Sequence, residues 1–263
     1  MMRIVVCVKH VPDVQADRQF GADGHVDRTQ DDGTLNELDE YALEAALVVA
    51  EEVGGQVVVL TMGPPAAEGA VRRGLQIGAT QGVHVVDDAL AGSDAFATAH
   101  VLAAAIRKIG QDAPVDLVVT GMASLDSLTS VVPTLLAAEL HIAELTLAAK
   151  VTVAHGLVRI ERELDDAREV LEAPLPAVVS VTDRANEPRY PSFKGIAAAR
   201  RTPVTHWTIA DLAIEPSRVG SAAARTRVVD AVARPKRENR VLITDSGDAG
   251  IRLAAYLVDN NLA

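Results

Sequence analysis

The sequence is short of several things, and each shortage closes off a class of function. It has one cysteine, Cys7, in 263 residues, so no disulfide framework exists. A reducing compartment, the cytoplasm, is the expected setting. Aromatic residues make up 3% of the chain, so the core has to be built from Val, Leu, Ile and Ala. Basic residues are in deficit: 25 Lys and Arg stand against 36 Asp and Glu, for a net charge of -11. Nucleic acid is not an expected partner of so acidic a chain. No apolar run approaches the roughly 20 residues that span a bilayer, so no membrane-embedded segment is expected. The opening run Arg3 to Lys9 is too short for a secretory signal and reads as a first strand. That strand is followed by no GxGxxG, and the chain holds no GxxxxGK[ST], so no motif points to a flavin held by this chain alone. The seven histidines (10, 25, 84, 100, 141, 155, 206) are scattered without metal-ligand spacing, and no metal site is expected. His84 and His100 read as structural or surface residues, and Cys7 as a small buried residue, not a nucleophile.

What is present is a globular composition, 49% hydrophobic and 23% charged, and enough chain for one large or two small domains. The first half alternates strand and helix. Ile4 to Val8, Gln56 to Thr61, Val83 to Val86 and Val115 to Thr120 are short continuous apolar runs, as expected of strands covered on both faces. Between them lie helical patterns: one starting at Asn36, with Asp39 as its capping partner, and ending at Gly54-Gly55; Glu68 to Ile77; Asp94 to Ile109, capped by Ser93; and about Thr129 to Leu140. Residues 14 to 35 read as a long polar loop. The alternation predicts an α/β fold with a doubly wound, mainly parallel sheet. With strand order 3-2-1-4-5, a ligand crevice opens between strands 1 and 4, beyond their carboxyl ends. The residues leaving those strands are Cys7 to Lys9 and Gly121 to Ser130. In the second stretch Gly121 permits close backbone approach, and Ser127, Thr129 and Ser130 offer hydroxyls. The following helix start offers free N–H groups, which together make a site for one phosphate. Asp126 is expected to fix the loop or bond a polar ligand edge. An ordinary Ser/Thr-capped helix start would look the same.

A further strand, Leu145 to Val153, leads to a hairpin: Arg159 to Leu164, an Asp165-Asp166 turn, then Glu169 to Leu171. The apolar strand Pro176 to Val181 follows. Asn186-Glu187-Pro188-Arg189-Tyr190-Pro191 comes next, where two prolines forbid regular helix or a central strand. Ser192 to Arg201 is small, basic and weakly helical, with Phe193 standing out. From Pro203 the pattern weakens. Arg234-Pro235-Lys236-Arg237 reads as a basic linker, Val241 to Thr244 as a possible strand, and Ala249 to Val258 as an amphipathic helix.

Taken together, Ile160, Arg162, Asp165, Asp166, Glu169, Leu175 to Val179 and Asn186 to Tyr190 resemble the beta, or small, subunit of electron transfer flavoproteins. The likeness extends over most of the chain. It departs at Ala167, where the family usually has Gly, and at Ser130-Val131-Val132, where some relatives have Asn-Gln-Thr.

The resemblance implies a noncatalytic electron-carrier subunit with an adenine-nucleotide-binding fold. It implies AMP in the crevice, held by Cys7, Asn36, Glu37, Leu38, Asp39, Met62, Gly121, Met122, Ala123, Ser124, Leu125, Asp126, Ser127, Leu128, Thr129, Ser130, Val131 and Val132. The redox FAD would sit mainly on an alpha subunit, the partner in a heterodimer. Pro191, Ser192, Phe193, Lys194, Gly195 and Ile196 would dock flavin dehydrogenases such as acyl-CoA dehydrogenases, within a docking loop at about 186–201. Electrons would pass on to a membrane quinone oxidoreductase. Residues 1–203 would form the nucleotide-binding domain and 204–263 an arm on the alpha subunit. A bifurcating relative would hold a second FAD in the same crevice. An adenylate-using enzyme of this fold would need a Ser-Gly-Gly-x-Asp loop after strand 1, absent from Val8 to Asp13. A nucleotide-sensing protein would lack the stretch Ile160 to Arg201.

Overall fold

The computed structural model describes all residues except 17, 18, 22, 23, 29–32, 233, 236–239 and 263. Lys236 and Arg237 of the expected basic linker and parts of the loop 14–35 therefore lie outside the described residues. The chain forms two units, Met1–Val229 and Asp230–Ala263.

The first unit runs β1 (Met2–Cys7), β2 (His10–Pro12), β3 (Gly33–Leu35), α1 (Glu37–Val53), β4 (Gly55–Met62), α2 (Glu68–Ile77), β5 (Gln81–Val85), α3 (Ala95–Ile109), β6 (Leu117–Gly121) and α4 (Val132–Leu140). It continues with β7 (Ala143–Ala154), β8 (Leu157–Glu163), β9 (Arg168–Pro174), β10 (Ala177–Val181), α5 (Phe193–Ala199), β11 (Val204–Trp207) and α6 (Gly220–Ala223). Nine strands make one sheet in the order β11-β5-β4-β1-β6-β10-β7-β8-β9. All pairings from β11 to β7 are parallel, and β7-β8-β9 is an antiparallel meander. The expected doubly wound α/β fold is observed, with β1 and β6 adjacent at its centre. β2 and β3 form a separate two-stranded ribbon.

The apolar strands are continuous because alternate residues feed two cores. Ile4, Val6, Val57, Val59, Leu117 and Val119 pack beneath α1 and α2. Val5, Cys7, Val58, Leu60 and Val118 face the opposite side, against Val101, Leu102, Ile106 and Leu136 of α3 and α4. Both faces are dry, as in any sheet of βαβ units. Gly54 ends α1 in the left-handed conformation, φ 77°, as its sequence position predicts.

Five details differ from the sequence reading. The expected order 3-2-1-4-5 is interrupted, since β10 stands between β6 and β7 and pairs with both. Asp94, not Ser93, caps α3, its carboxylate accepting from the Phe96 and Ala97 N–H groups at 3.0 Å, while Ser93 accepts from Gly220 N–H. α4 starts at Val132, because Leu128 and Ser130 are left-handed (φ 51° and 55°) and cannot continue a helix. The boundary expected at 203/204 falls inside the first unit: β11 pairs with β5, and the unit runs to Val229. Val241 to Thr244 is not a strand.

The second unit holds α7 (Ala249–Asp259), none of whose residues is buried. No helix among the described residues is long and apolar enough to cross a membrane.

Candidate functional site

Cys7 ends β1 level with Leu60 of β4 and Thr120 of β6. Beyond that level the chain leaves the sheet, and the groups that follow are tied into one network. Asn36 is fully buried at the start of α1, yet its side chain makes no helix cap. Its amide reaches across the crevice instead, donating to Ala123 C=O at 2.9 Å and accepting from Leu125 N–H at 3.0 Å. The expected Asn36–Asp39 capping box is thus replaced by a clamp on the loop after β6. Asp39 is buried too, and accepts from Lys9 N–H at 2.8 Å. Burial pushes its carboxyl up to about 7, against the pull of hydrogen bonds from Asn36, Lys9 and Gly121.

Gly121 has a specific reason to be glycine. A Cβ there would lie 2.6 Å from Asp39 Oδ1 and 2.7 Å from Leu38 C=O. The close approach read from the sequence is made by the start of α1, not by a ligand. The acidic first turn of α1 (Glu37, Asp39, Glu40) likewise makes that helix end unsuited to an anion.

Asp126 is the hub of the loop. Its side chain has no exposed surface, and it bonds Lys9 Nζ at 2.8 Å and Arg28 Nε at 2.7 Å. Burial alone would raise its carboxyl, but the two cations more than offset this and hold it at about 2. Lys9 also donates to Ser124 Oγ at 3.3 Å, and Ser124 Oγ meets Ser127 Oγ at 2.7 Å. Asp126 therefore fixes the loop, as expected. Lys9 and Arg28 complete this network and were not singled out as site residues from the sequence. Lys9 was legible as the residue leaving β1; Arg28 sits in a polar loop with no periodicity to mark it.

The loop so fixed presents Ser127, Leu128, Thr129, Ser130 and Val131 at the surface, directly before α4. Val131 at the N-cap of α4 contributes no side-chain hydrogen bond, so no side chain covers the first-turn amides. Within the loop, Ser127 and Leu128 N–H both donate to Ser124 C=O, at 3.2 and 2.8 Å, and Leu128 and Ser130 are the left-handed positions that turn the chain toward α4. Met62 ends β4 and packs with Cys7 on the core facing α3 and α4; burial lifts the Cys7 thiol to about 12, so it is no thiolate. A cavity of about 560 Å³ lies apart from the crevice, between α3, α4 and residues 217–225, and none of the expected nucleotide-binding residues lines it.

The expected docking residues form a second, separate feature. Asn186 donates to Tyr41 C=O at 2.9 Å, and Arg189 grips Glu44 and Glu51 of α1 at 2.8 and 2.6 Å. Burying Arg189 lowers its pKa less than these two carboxylates raise it. Ser192 caps α5, accepting from Gly195 N–H at 3.0 Å. α5 is pressed onto α2, where a Cβ on Gly195 would come within 2.4 Å of Gln76 C=O. Tyr190 and Phe193 are left 90% and 94% exposed on this anchored segment.

The fold is a doubly wound α/β domain that carries a braced loop with an exposed apolar tip. The chain matches the model of the electron transfer flavoprotein domain over residues 23–212. It is 40% identical to the electron transfer flavoprotein subunit beta of Mycobacterium leprae (strain TN), covering 98% of each chain. It is 34% identical to Protein FixA of Bradyrhizobium diazoefficiens over 94% of this chain and 88% of that one. It is also 34% identical to the caffeyl-CoA reductase-Etf complex subunit CarD of Acetobacterium woodii, over 92% of each. The chain belongs to the electron transfer flavoprotein family and is an electron transfer subunit of the beta type.

Proposed function

We propose that this chain is the beta subunit of a heterodimeric electron transfer flavoprotein and holds AMP in the crevice as a structural ligand. The observation that carries the ligand is the exposed start of α4, uncapped by any side chain and held in place by the Lys9–Asp126–Arg28 lock. The AMP phosphate accepts from the Val132 and Thr134 N–H groups in the first turn of α4, Pro133 having none, with Thr129 and Ser130 hydroxyls at hand. Ser130-Val131-Val132 leaves the backbone as the main donor. FAD, when bound mainly on the alpha subunit, supplies the redox chemistry; this chain contributes no catalytic residue of its own.

Electrons come from flavin dehydrogenases, acyl-CoA dehydrogenases among them, and go on to a membrane quinone oxidoreductase. Phe193, projected by the α5–α2 and Arg189–Glu44 contacts, is the apolar anchor for the dehydrogenase, with Lys194 beside it. Phe193→Ala is expected to raise the apparent KM for the dehydrogenase about tenfold, roughly 1.4 kcal/mol, with flavin content unchanged. Unaltered electron-transfer kinetics would remove the anchor. The likeness to FixA and CarD supports a second reading, in which the same crevice takes a second FAD. Nucleotides released by acid from the copurified two-subunit complex decide between them. One FAD and one AMP per complex is the expected result; two FAD would overturn the AMP assignment in favour of the second reading.

A further inference from the structure

We propose that His84, His206 and Glu68 form a binding site for a divalent transition-metal cation of the zinc type. The three are far apart in sequence, which is why spacing gave no hint of them. The sheet brings them together. His84 on β5 and His206 on β11 are register partners on neighbouring parallel strands, and both share the face covered by α2, which begins at Glu68. One ligand atom from each of the three lies within 4.8 Å of the other two.

His84 gives the independent sign. It is 1% exposed, and its Nδ1 has no hydrogen-bond partner. Its other nitrogen, Nε2, lies 3.0 Å from Gly63 C=O. A carbonyl only accepts, so Nε2 carries the proton and Nδ1 keeps its lone pair. A buried imidazole with one N–H fixed by a backbone carbonyl and the other nitrogen bare is the usual preparation of a metal ligand. Glu68 is prepared in the same way. Arg72 Nε holds its Oε1 at 2.8 Å, leaving Oε2 toward His206 Nε2 at 2.9 Å.

Two imidazoles and a carboxylate suit zinc, with bonds of about 2.1 Å and ligand atoms about 3.3 Å apart in a tetrahedron. Closing to that size moves the half-exposed ends of His206 and Glu68 by roughly 1 Å and leaves the fourth position to water. The cation would take the place of the His206–Glu68 hydrogen bond and clasp edge strand β11 to the start of α2. It stands independently of the nucleotide reading, which concerns β1 and β6 at the centre of the sheet.

The test uses the full chain copurified with its alpha subunit, stripped by a chelator, and titrated calorimetrically with Zn²⁺ alone. One equivalent is expected to bind with micromolar or tighter affinity, at least tenfold weaker in His206→Ala and in Glu68→Gln. His155→Asn, which alters a histidine in the turn between β7 and β8, should bind as the wild type does. His206 and Glu68 both reach solvent, so these variants should fold; matching metal-free melting curves check this. No zinc uptake below about 0.1 mM, or uptake undiminished in His206→Ala, would overturn the site.

Discussion

At the scale of single residues, two carboxylates separated in sequence by β4, β5 and β6 do opposite things in one crevice. Asp126 is ionised because Lys9 and Arg28 flank it, and its folded pKa of about 2 lies below the ordinary value near 3.9. A depressed pKa contributes stability that is complete above the unfolded value and is lost as pH falls through the folded one. Asp126→Asn should therefore cost about 2 kcal/mol at pH 7, discounted because Lys9 and Arg28 are each more than a third exposed. The deficit should shrink below pH 4, as read from urea midpoints; a deficit independent of pH would mean that the charge is not the cause. Asp39 runs the other way. Its pKa near 7 means that its contribution is complete below about pH 4 and is lost as pH rises to 7. Asp39→Asn should flatten the fall in stability between pH 5 and pH 7. Asp126 as a loop-fixing residue was legible in the sequence, since a carboxylate beside a phosphate site is out of place. Its partners were not, because Arg28 reaches it across 98 positions from a loop without pattern.

At the scale of elements, the main-sheet strands and the helices of the first half were readable from periodicity alone, since a strand buried on both faces must be continuously apolar, whereas the short β2–β3 ribbon was not. The ends of elements were less readable, because side chains that can cap a helix can also bond elsewhere. Asn36 has the residue type of a cap and is spent on Ala123 and Leu125. The Asn186–Tyr190 motif was legible as an irregular excursion, but its role was not: it fastens the segment to α1 through Arg189 and Glu44, 145 positions apart. Glu44 is 7% exposed, so Arg189→Ala leaves a nearly buried carboxylate without its cation. The expected loss is about 2 kcal/mol, under the roughly 3–5 of a fully buried pair because Arg189 is one-third exposed. Glu44→Gln in the same background should recover part of it, since the uncompensated charge is then gone. A double variant no more stable than Arg189→Ala would show that packing, not charge, is what Arg189 supplies. Ala167 is instructive in the other direction. The β8–β9 turn closes with Leu164 N–H donating to Ala167 C=O, and Ala167 is not among the left-handed residues, so this turn does not need the family's glycine.

At the scale of the whole molecule, the two units differ in kind. Met1–Val229 buries two cores, one on each face of the sheet, and satisfies the ordinary requirement for a folded domain. Among the described residues of Asp230–Ala263 the one helix, α7, has no buried residue: Ile251 is 76% exposed, Leu253 49%, Tyr256 37% and Val258 64%. An eleven-residue helix without a covered face is marginal in water, since its stability normally comes from packing an apolar stripe. The stripe at positions 251, 253, 254, 257 and 258 is the surface that a covering partner would bury. With a family whose beta subunits pair with an alpha subunit, the expected cover is that partner. Deleting residues 235–263 should then leave the melting of the first unit nearly unchanged while weakening association with the alpha subunit at least tenfold, measured by titrating one subunit with the other. The pairing of Ile251→Asp and Val258→Asp in one variant should do the same without shortening the chain. Full-strength association in both would mean that the helix is no part of the subunit interface, and that the first unit alone carries the contact.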